Sequence, residues 1–538
     1  MSERKQKKDG TLRRGWRAMS LAVALALSPI AASAERVVVA MNPPTVETNL
    51  FWMSGPGEPL PWMQSLVGND PVSGVYDDSG LAKSWSSNAD MTEWTFFLHE
   101  NAQFHNGWGP VTAQDVVHSY NLHTAADATY GGKALILAKE VVALDDHTVV
   151  FRFDSPHSNY AFYHAGRYEM LIYSKAQFEA EGIAGYERMP AGSAPYQFVE
   201  RRPGEGVVLA AVPNHWQGLQ PDFDELEMRW AREPAVKLAM LLAGEADIVQ
   251  LPRDIQKDAL ARGMKIVSSQ NAAMQSMMIL NGQYLKAGDE ALGTAGVPWS
   301  DIRVREAMNR AINRDEMIDV LYDGRADKLV RWGADPRHEG WRPDMAERFD
   351  AMYGYDPARA KALLAEAGYP GKFASPVIPI VLTELGGNPE FGTMAEMVQA
   401  YFESVGLQTK MVEMDWASLG ALGRAKTALV VNPMRNAPVR PSEAALVTFF
   451  TARGAPYGGY QNDDVEKKID TLVATTDPAE RERLTGEIFN FLFENYVDMP
   501  VASVKAEIVV NPAVVSDWTF PGVTTISLGH WHLIKKAN

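Results

Sequence analysis

A chain of 538 residues, 46% hydrophobic and 10% aromatic, holds more apolar side chains than one core needs, and two or three domains are expected. Its 51 basic and 67 acidic residues give a formal charge of −16, which argues against the basic face that nucleic acid or an anionic membrane requires. With no cysteine, disulfides, thiol catalysis and an acylated cysteine at the N-terminus are excluded.

Residues 1–34 read as an export signal. Arg4, Lys5, Lys7, Lys8, Arg13, Arg14 and Arg17 form a basic stretch, Ala18–Ile30 is apolar but too short for a membrane anchor, and Ala32-Ser33-Ala34 is a small-residue cleavage site. The mature chain then starts at Glu35 and is expected in the periplasm. Arg13-Arg14 would permit twin-arginine export, but general secretion is preferred. Without the seven basic and two acidic residues of this leader, 44 basic face 65 acidic residues, a charge of −21. No later stretch has the apolar length of a membrane helix.

Arg36–Met41 (RVVVAM) reads as a short buried strand, and the proline-rich loop to Pro61 carries Asn49, Phe51 and Trp52. Trp94, Phe96 and Leu98 alternate with Thr95, Phe97 and His99, the period of a half-buried strand. Gly107, Gly109 and Pro110 break the chain. Thr112 and Asp115 then form a capping box for a helix with Val116, Val117 and Tyr120 on one face. Hairpins are expected around Asp145-Asp146 and between Gln197–Glu200 and Val207–Ala211, the second after the turn Gly192–Tyr196.

From Glu233 helices alternate with strands. A helix through Val236, Met240 and Leu241 ends at Gly244, Asp247–Leu251 is a strand, and Ile255–Gly263 is a helix. Met274–Asn281 is an extended apolar run, placed as a crossover between domains. Ser300 is expected to cap a helix through Val304, Met308 and Ala311. Asn313 with Glu316 boxes the next, and Asp356-Pro357 opens another. Strand Pro376–Leu382, helix Met394–Val405 and strand Leu407–Met414 have the β-α-β spacing of a parallel or mixed sheet. Ala428–Val431 is an apolar strand followed by a Pro-rich loop. After the helix opened by Asp477-Pro478, Val501–Val510 returns as a second extended crossover.

Catalytic signatures are missing: there is no G-x-S-x-G, Ser-x-x-Lys occurs only at Ser2–Lys5, and no Walker-type loop is present. His99, His105, His118 and His123 lie close in sequence, but His118 and His123 are five apart on a helix and point to different faces. His530 and His532 could share a strand face. No metal or cofactor is expected. Among tryptophans, Trp332 and Trp341 flank loops, and Trp416 follows a strand end, where open sheets bind ligands. Arg435 and Arg440, with Asn436 between them, lie in the loop after Ala428–Val431 and suit bidentate contact with an anionic group.

Phe104-His105-Asn106-Gly107 with Thr112-Ala113-Gln114-Asp115-Val116 resembles the signature of the family 5 extracellular solute-binding proteins, the dipeptide, oligopeptide and nickel-chelate receptors of ABC importers. Gly192-Ser193-Ala194-Pro195-Tyr196, Arg303–Ala307 with Ala311–Arg314, and the Asn462–Leu472 region continue the resemblance in the family's order along the mature chain. It implies an α/β, two-lobed periplasmic-binding-protein fold with an enlarged first lobe, mixed sheets flanked by helices and hinge crossovers between lobes. Lobe one would be 35–278, lobe two 279–498, with 499–538 returning to lobe one. A monomer is expected, serving an ABC permease and ATPase complex as partner. Peptide-binding members carry an aspartate in the second-lobe loop, commonly as Asp-Pro; here Arg440-Pro441 stands there, so the charge is reversed and a solute with an acidic group is expected. Ligand contacts are assigned to Asn49, Trp52, Trp416, Arg435, Asn436 and Arg440, and His105 to a structural turn. A secreted hydrolase and a sensory or chaperone-like binding protein are the alternatives.

Overall fold

The structure is a computed structural model and describes residues 35–44, 46–54, 61–126, 128, 138–164, 170–283, 297–383, 388–438, 440–451, 459–520 and 529–538; the proposed leader, 1–34, lies outside them. The first half carries β1 (Arg36–Met41), β2 (Ala82–Ser87), β3 (Glu93–Leu98), α1 (Ala113–His123), β4 (Glu140–Asp145), β5 (Thr148–Arg152), α2 (Lys175–Arg188), β6 (Tyr196–Arg202), β7 (Gly206–Ala211) and β8 (Glu225–Trp230). After them come α3 (Pro234–Ala243), β9 (Ile248–Val249), α4 (Arg253–Leu260) and the long β10 (Lys265–Leu280). The second half adds α5 (Ile302–Ala311), α6 (Arg314–Tyr322), β11 (Ala326–Lys328), β12 (Ile378–Leu382), α7 (Phe391–Val405), β13 (Thr409–Glu413) and α8 (Trp416–Arg424). It continues with β14 (Val431–Asn436), α9 (Ser442–Phe450), α10 (Asp463–Ala474), α11 (Pro478–Glu494) and the long β15 (Asp498–Val510), followed by the short strands Val515–Trp518 and Ile534–Lys536; two further helices, Pro343–Tyr353 and Pro357–Glu366, lie between β11 and β12.

Among the described residues one sheet has the order β13-β12-β14-β10-β15-β9-β1-β8-β7-β6, with β11 also on β15. A separate sheet, β2-β3-β5-β4, forms a subdomain. Its β3 shows the period-2 pattern plainly: Trp94, Phe96 and Leu98 are buried while Phe97 is exposed. Helix α1 opens on the expected capping box, with Thr112 and Asp115 exchanging side-chain and backbone bonds.

β10 and β15 run through both halves as neighbours, from Lys265 opposite Val510 to Ile279 opposite Asp498. Their side chains pass from one core to another along the way. Val267 and Ala273 pack with β1, β7 and β8, whereas Met274, Met278 and Leu280 pack with α5, α6 and α7. On β15 the change falls between Val504 and Ala506. The ladder shifts register between Ser268 and Ala272 and between Ala272 and Met274, so the pairing is irregular where the cores change.

Three local expectations are corrected. Asp301, not Ser300, caps α5, because Pro298–Ser300 is already a 3-10 turn and the Asp301 side chain accepts from the Arg303 N–H. His530 and His532 belong to a left-handed residue and a 3-10 turn rather than to a strand. The strand placed at Ala428–Val431 instead runs from Val431 to Asn436. It includes Pro433 because β14 pairs with β12 only at Val431, leaving a ladder on one side beyond it.

Candidate solute-binding site

Strand direction marks out the candidate site. β9 is parallel to β1 and antiparallel to β15, so it runs from opposite Val510 toward the middle of the long pair. β14 is antiparallel to β10 and ends with Asn436 opposite Gln275, also toward the middle. β1 and β8 are parallel on the first side, as are β12 and β13 on the second. The carboxyl edges of the two groups of strands therefore oppose each other across the middle of β10 and β15. Loops at carboxyl edges are where open α/β sheets hold ligands.

On the second side the edge is built around Gln275. Its Nε2 donates to Ala334 O at 2.7 Å, and its Oε1 accepts from Gly333 N at 2.9 Å and from Asn436 Nδ2 at 3.0 Å. These bonds fix the orientation of both amides, since Gln275 Oε1 already faces a backbone donor. Asn436 is 4% exposed, and its Oδ1 has no hydrogen-bond partner. One strand over, Thr383 Oγ1 at the end of β12 is also buried without a partner. Such atoms cost free energy unless something donates to or accepts from them. His338 bonds Pro438 O at 2.9 Å and steadies the loop after β14. Arg440, in that loop, lies over the Phe449 ring at 5.1 Å. The shift of β14 puts Arg435 and Asn436 in the strand, not in the loop; Arg435 is half-buried, opposite Ser276. Trp416 is half-buried on the first residue of α8 and borders a small gap with Asn281, Asn432 and Met434.

On the first side, Lys237 was missed by the sequence reading, because it lies in an otherwise apolar helical stretch. It is 5% exposed, its Nζ donates to Asn42 Oδ1 at 2.6 Å just past β1, and burial lowers its pKa to about 8. Among the described residues no carboxylate pairs with it. Asn49 and Trp52 are placed differently from the expectation. Asn49 is fully buried, donating to Glu187 O at 3.0 Å and accepting from Arg201 Nη2 at 2.7 Å. Trp52 packs edge-on against Tyr173, with ring centroids 4.8 Å apart. Asn49 thus has its side-chain atoms engaged within the protein and Trp52 is buried among aromatic rings, which is a scaffold arrangement.

The histidines fall to structural roles. His105 Nε2 bonds Ala194 O at 2.8 Å, its backbone N–H donates to Gly192 O at 2.7 Å, and burial lowers its pKa to about 4. His123 bonds Leu171 O and is lowered likewise. Among the described residues no group of three potential ligands could hold a metal.

The profile of the bacterial extracellular solute-binding proteins, family 5, matches residues 78–456. The chain belongs to that family. Family 5 proteins bind rather than transform their solutes, so this chain is a binding protein and not an enzyme, with the mixed α/β periplasmic-binding-protein fold. Among relatives it is 26% identical over 363 residues to the heme-binding protein A of Haemophilus influenzae, covering 63% of this chain and 62% of that protein. It is 28% identical over 367 residues to the dipeptide-binding protein of Escherichia coli, covering 64% and 65%. The chain thus spans slightly less than two thirds of the length of these two family 5 relatives. The structure of HbpA2 from Haemophilus parasuis superposes with a TM-score of 0.72 at 21% identity, over 92% of this chain and 99% of that one, a likeness of fold.

Proposed function

We propose that this family 5 protein is a periplasmic receptor that encloses a small polar organic solute between its two carboxyl edges and delivers it to an ABC permease and ATPase. Residues 1–34 serve as its cleavable leader, and it works as a monomer. The two lobes meet where the core changes along β10 and β15, near Ala273/Met274 and Val504/Ala506. The observation that carries the solute class is Asn436: a buried carbonyl oxygen, oriented by Gln275 and without a donor, asks for an N–H or O–H from the solute. Arg435 and Arg440 beside it and Lys237 on the facing edge supply positive charge in an acidic chain, which suits a carboxylate. A solute with both features is peptide-like or a related amino-carboxylate.

Thermal unfolding of the mature protein with a free tripeptide and with its C-terminal amide tests this. The free acid is expected to raise Tm and the amide to raise it much less; saturation at 100 times Kd corresponds to about 2.7 kcal/mol. Equal shifts by acid and amide would remove the acidic-group assignment. Turnover of the peptide would remove the receptor assignment itself.

A further inference from the structure

Among the described residues the subdomain hydrogen-bonds the second half at two places. Ser158, in the segment after β5, donates its hydroxyl to Glu443 Oε2 in the first turn of α9. Glu443 is 7% exposed, and its carboxylate is held from its own side by Arg481 Nη2 at 2.6 Å. Arg481 is itself fixed, by Glu339 at 2.6 and 3.0 Å and by the carbonyls of Leu472 and Thr475 at 3.1 Å. The second place is the turn at Asp70–Val75. Asp70 Oδ1 stiffens it by accepting from the N–H groups of Val72 and Ser73 and from Ser73 Oγ. Ser73 O then accepts from Arg337 Nη1 at 2.8 Å, while Val72 O accepts at 2.7 Å from Asn271 Nδ2 on the first-half stretch of β10. Arg337 is aimed by Asp335, at 2.7 and 3.1 Å.

The division of chemistry is one-sided. At Glu443 and Arg337 the charged partners belong to the second half and are already paired there, while the subdomain offers a neutral hydroxyl and a backbone carbonyl. Parting at these two contacts would leave no new unpaired charge, because Glu443 keeps Arg481 and Arg337 keeps Asp335. Contacts of this kind hold a closed arrangement and release it, whereas an ion pair shared across the gap would strand a charge on opening.

Resting on the reading that the two halves enclose a solute, we propose that the subdomain is a clasp: Ser158 on Glu443 and the Asp70–Val75 turn on Arg337 bias the protein toward its enclosed state. The test uses the full mature chain, whose lack of cysteine makes trapping specific. Ser158→Cys with Glu443→Cys, oxidised with copper phenanthroline, is expected to cross-link in most molecules, and Ser158→Cys alone in none. Because Glu443→Cys also disturbs Arg481, the deciding variant is Ser158→Ala, read by small-angle scattering without added solute. A larger radius of gyration than wild type supports the clasp; an unchanged radius overturns it whatever the cross-link yield. If the tripeptide binds to neither protein but the radius still responds, the clasp stands and the receptor reading falls.

Discussion

Two turns that each precede a helix in this protein differ in sequence and in how their polar groups are bonded. Phe104–Gly109 is a glycine-rich turn between a strand and a capped helix in the subdomain, and Asn436–Pro441 is a proline-rich turn between β14 and α9. In the first His105 is bonded to the protein through its backbone N–H and its Nε2, while its buried Nδ1 has no partner among the described residues and Asn106 is exposed. Asn106 and Gly107 take left-handed backbone at φ 60 and 77 so that His105 can bond both Gly192 and Ala194. In the second a buried amide oxygen is left over and an arginine stands over an aromatic ring. The first makes the chain identifiable because its geometry allows few residues; on the proposed reading the second is open to change because its partner is the solute. Stability should therefore respond to the first turn and solute affinity to the second.

The largest effect is expected at Gly192, where the family's two first-half motifs touch. A Cβ there would lie 1.7 Å from Trp62 O, a backbone atom that cannot swing aside. Gly192→Ala should cost about 3 kcal/mol or more, seen as a lower urea midpoint. A midpoint near wild type would mean that the contact between the motifs is loose. The next effect is one of pH. Burial holds His105 and His123 at about 4, against an ordinary value of 6.5. Between those values the unfolded chain binds protons that the folded chain refuses, so stability falls as pH drops from about 6.5 toward about 4. His105→Gln keeps a donor for Ala194 O without the titration, and it should flatten that slope in urea midpoints measured across the window.

Much of the first turn was legible in the sequence because its constraints are local. Alternation in Trp94–Leu98, the capping box at Thr112 and Asp115 and the glycines between them each act over a few residues. The second turn was legible only as a cluster of arginines. Pro433 and three polar neighbours hid the strand that carries Arg435 and Asn436, since pairing with Gln275–Leu280, distant in the chain, is what extends it. Asn49 and Trp52 misled for the same reason: their partners Glu187, Arg201 and Tyr173 lie well over a hundred residues away. Lys237 gave no signal, because a single lysine in an apolar helix reads as a solvated position until its burial against Asn42 is seen.

The smallest effect on folding, and the sharpest on function, is expected at Arg440. Its guanidinium packs on Phe449, in a loop held independently by the bond between His338 and Pro438 O. Arg440→Ala should leave the urea midpoint within about 0.5 kcal/mol of wild type, as substitutions away from the core usually do. If the guanidinium meets the solute's acidic group, the loss is one charged hydrogen bond, about 1.5–3 kcal/mol, which is a tenfold or larger fall in affinity for the free tripeptide by titration calorimetry. The amide should be nearly indifferent to the substitution, because the group that Arg440 contacts is absent from it. Equal losses for acid and amide would instead make Arg440 a loop brace and return the two turns to the same kind. The contrast between them would then rest on Asn436 alone.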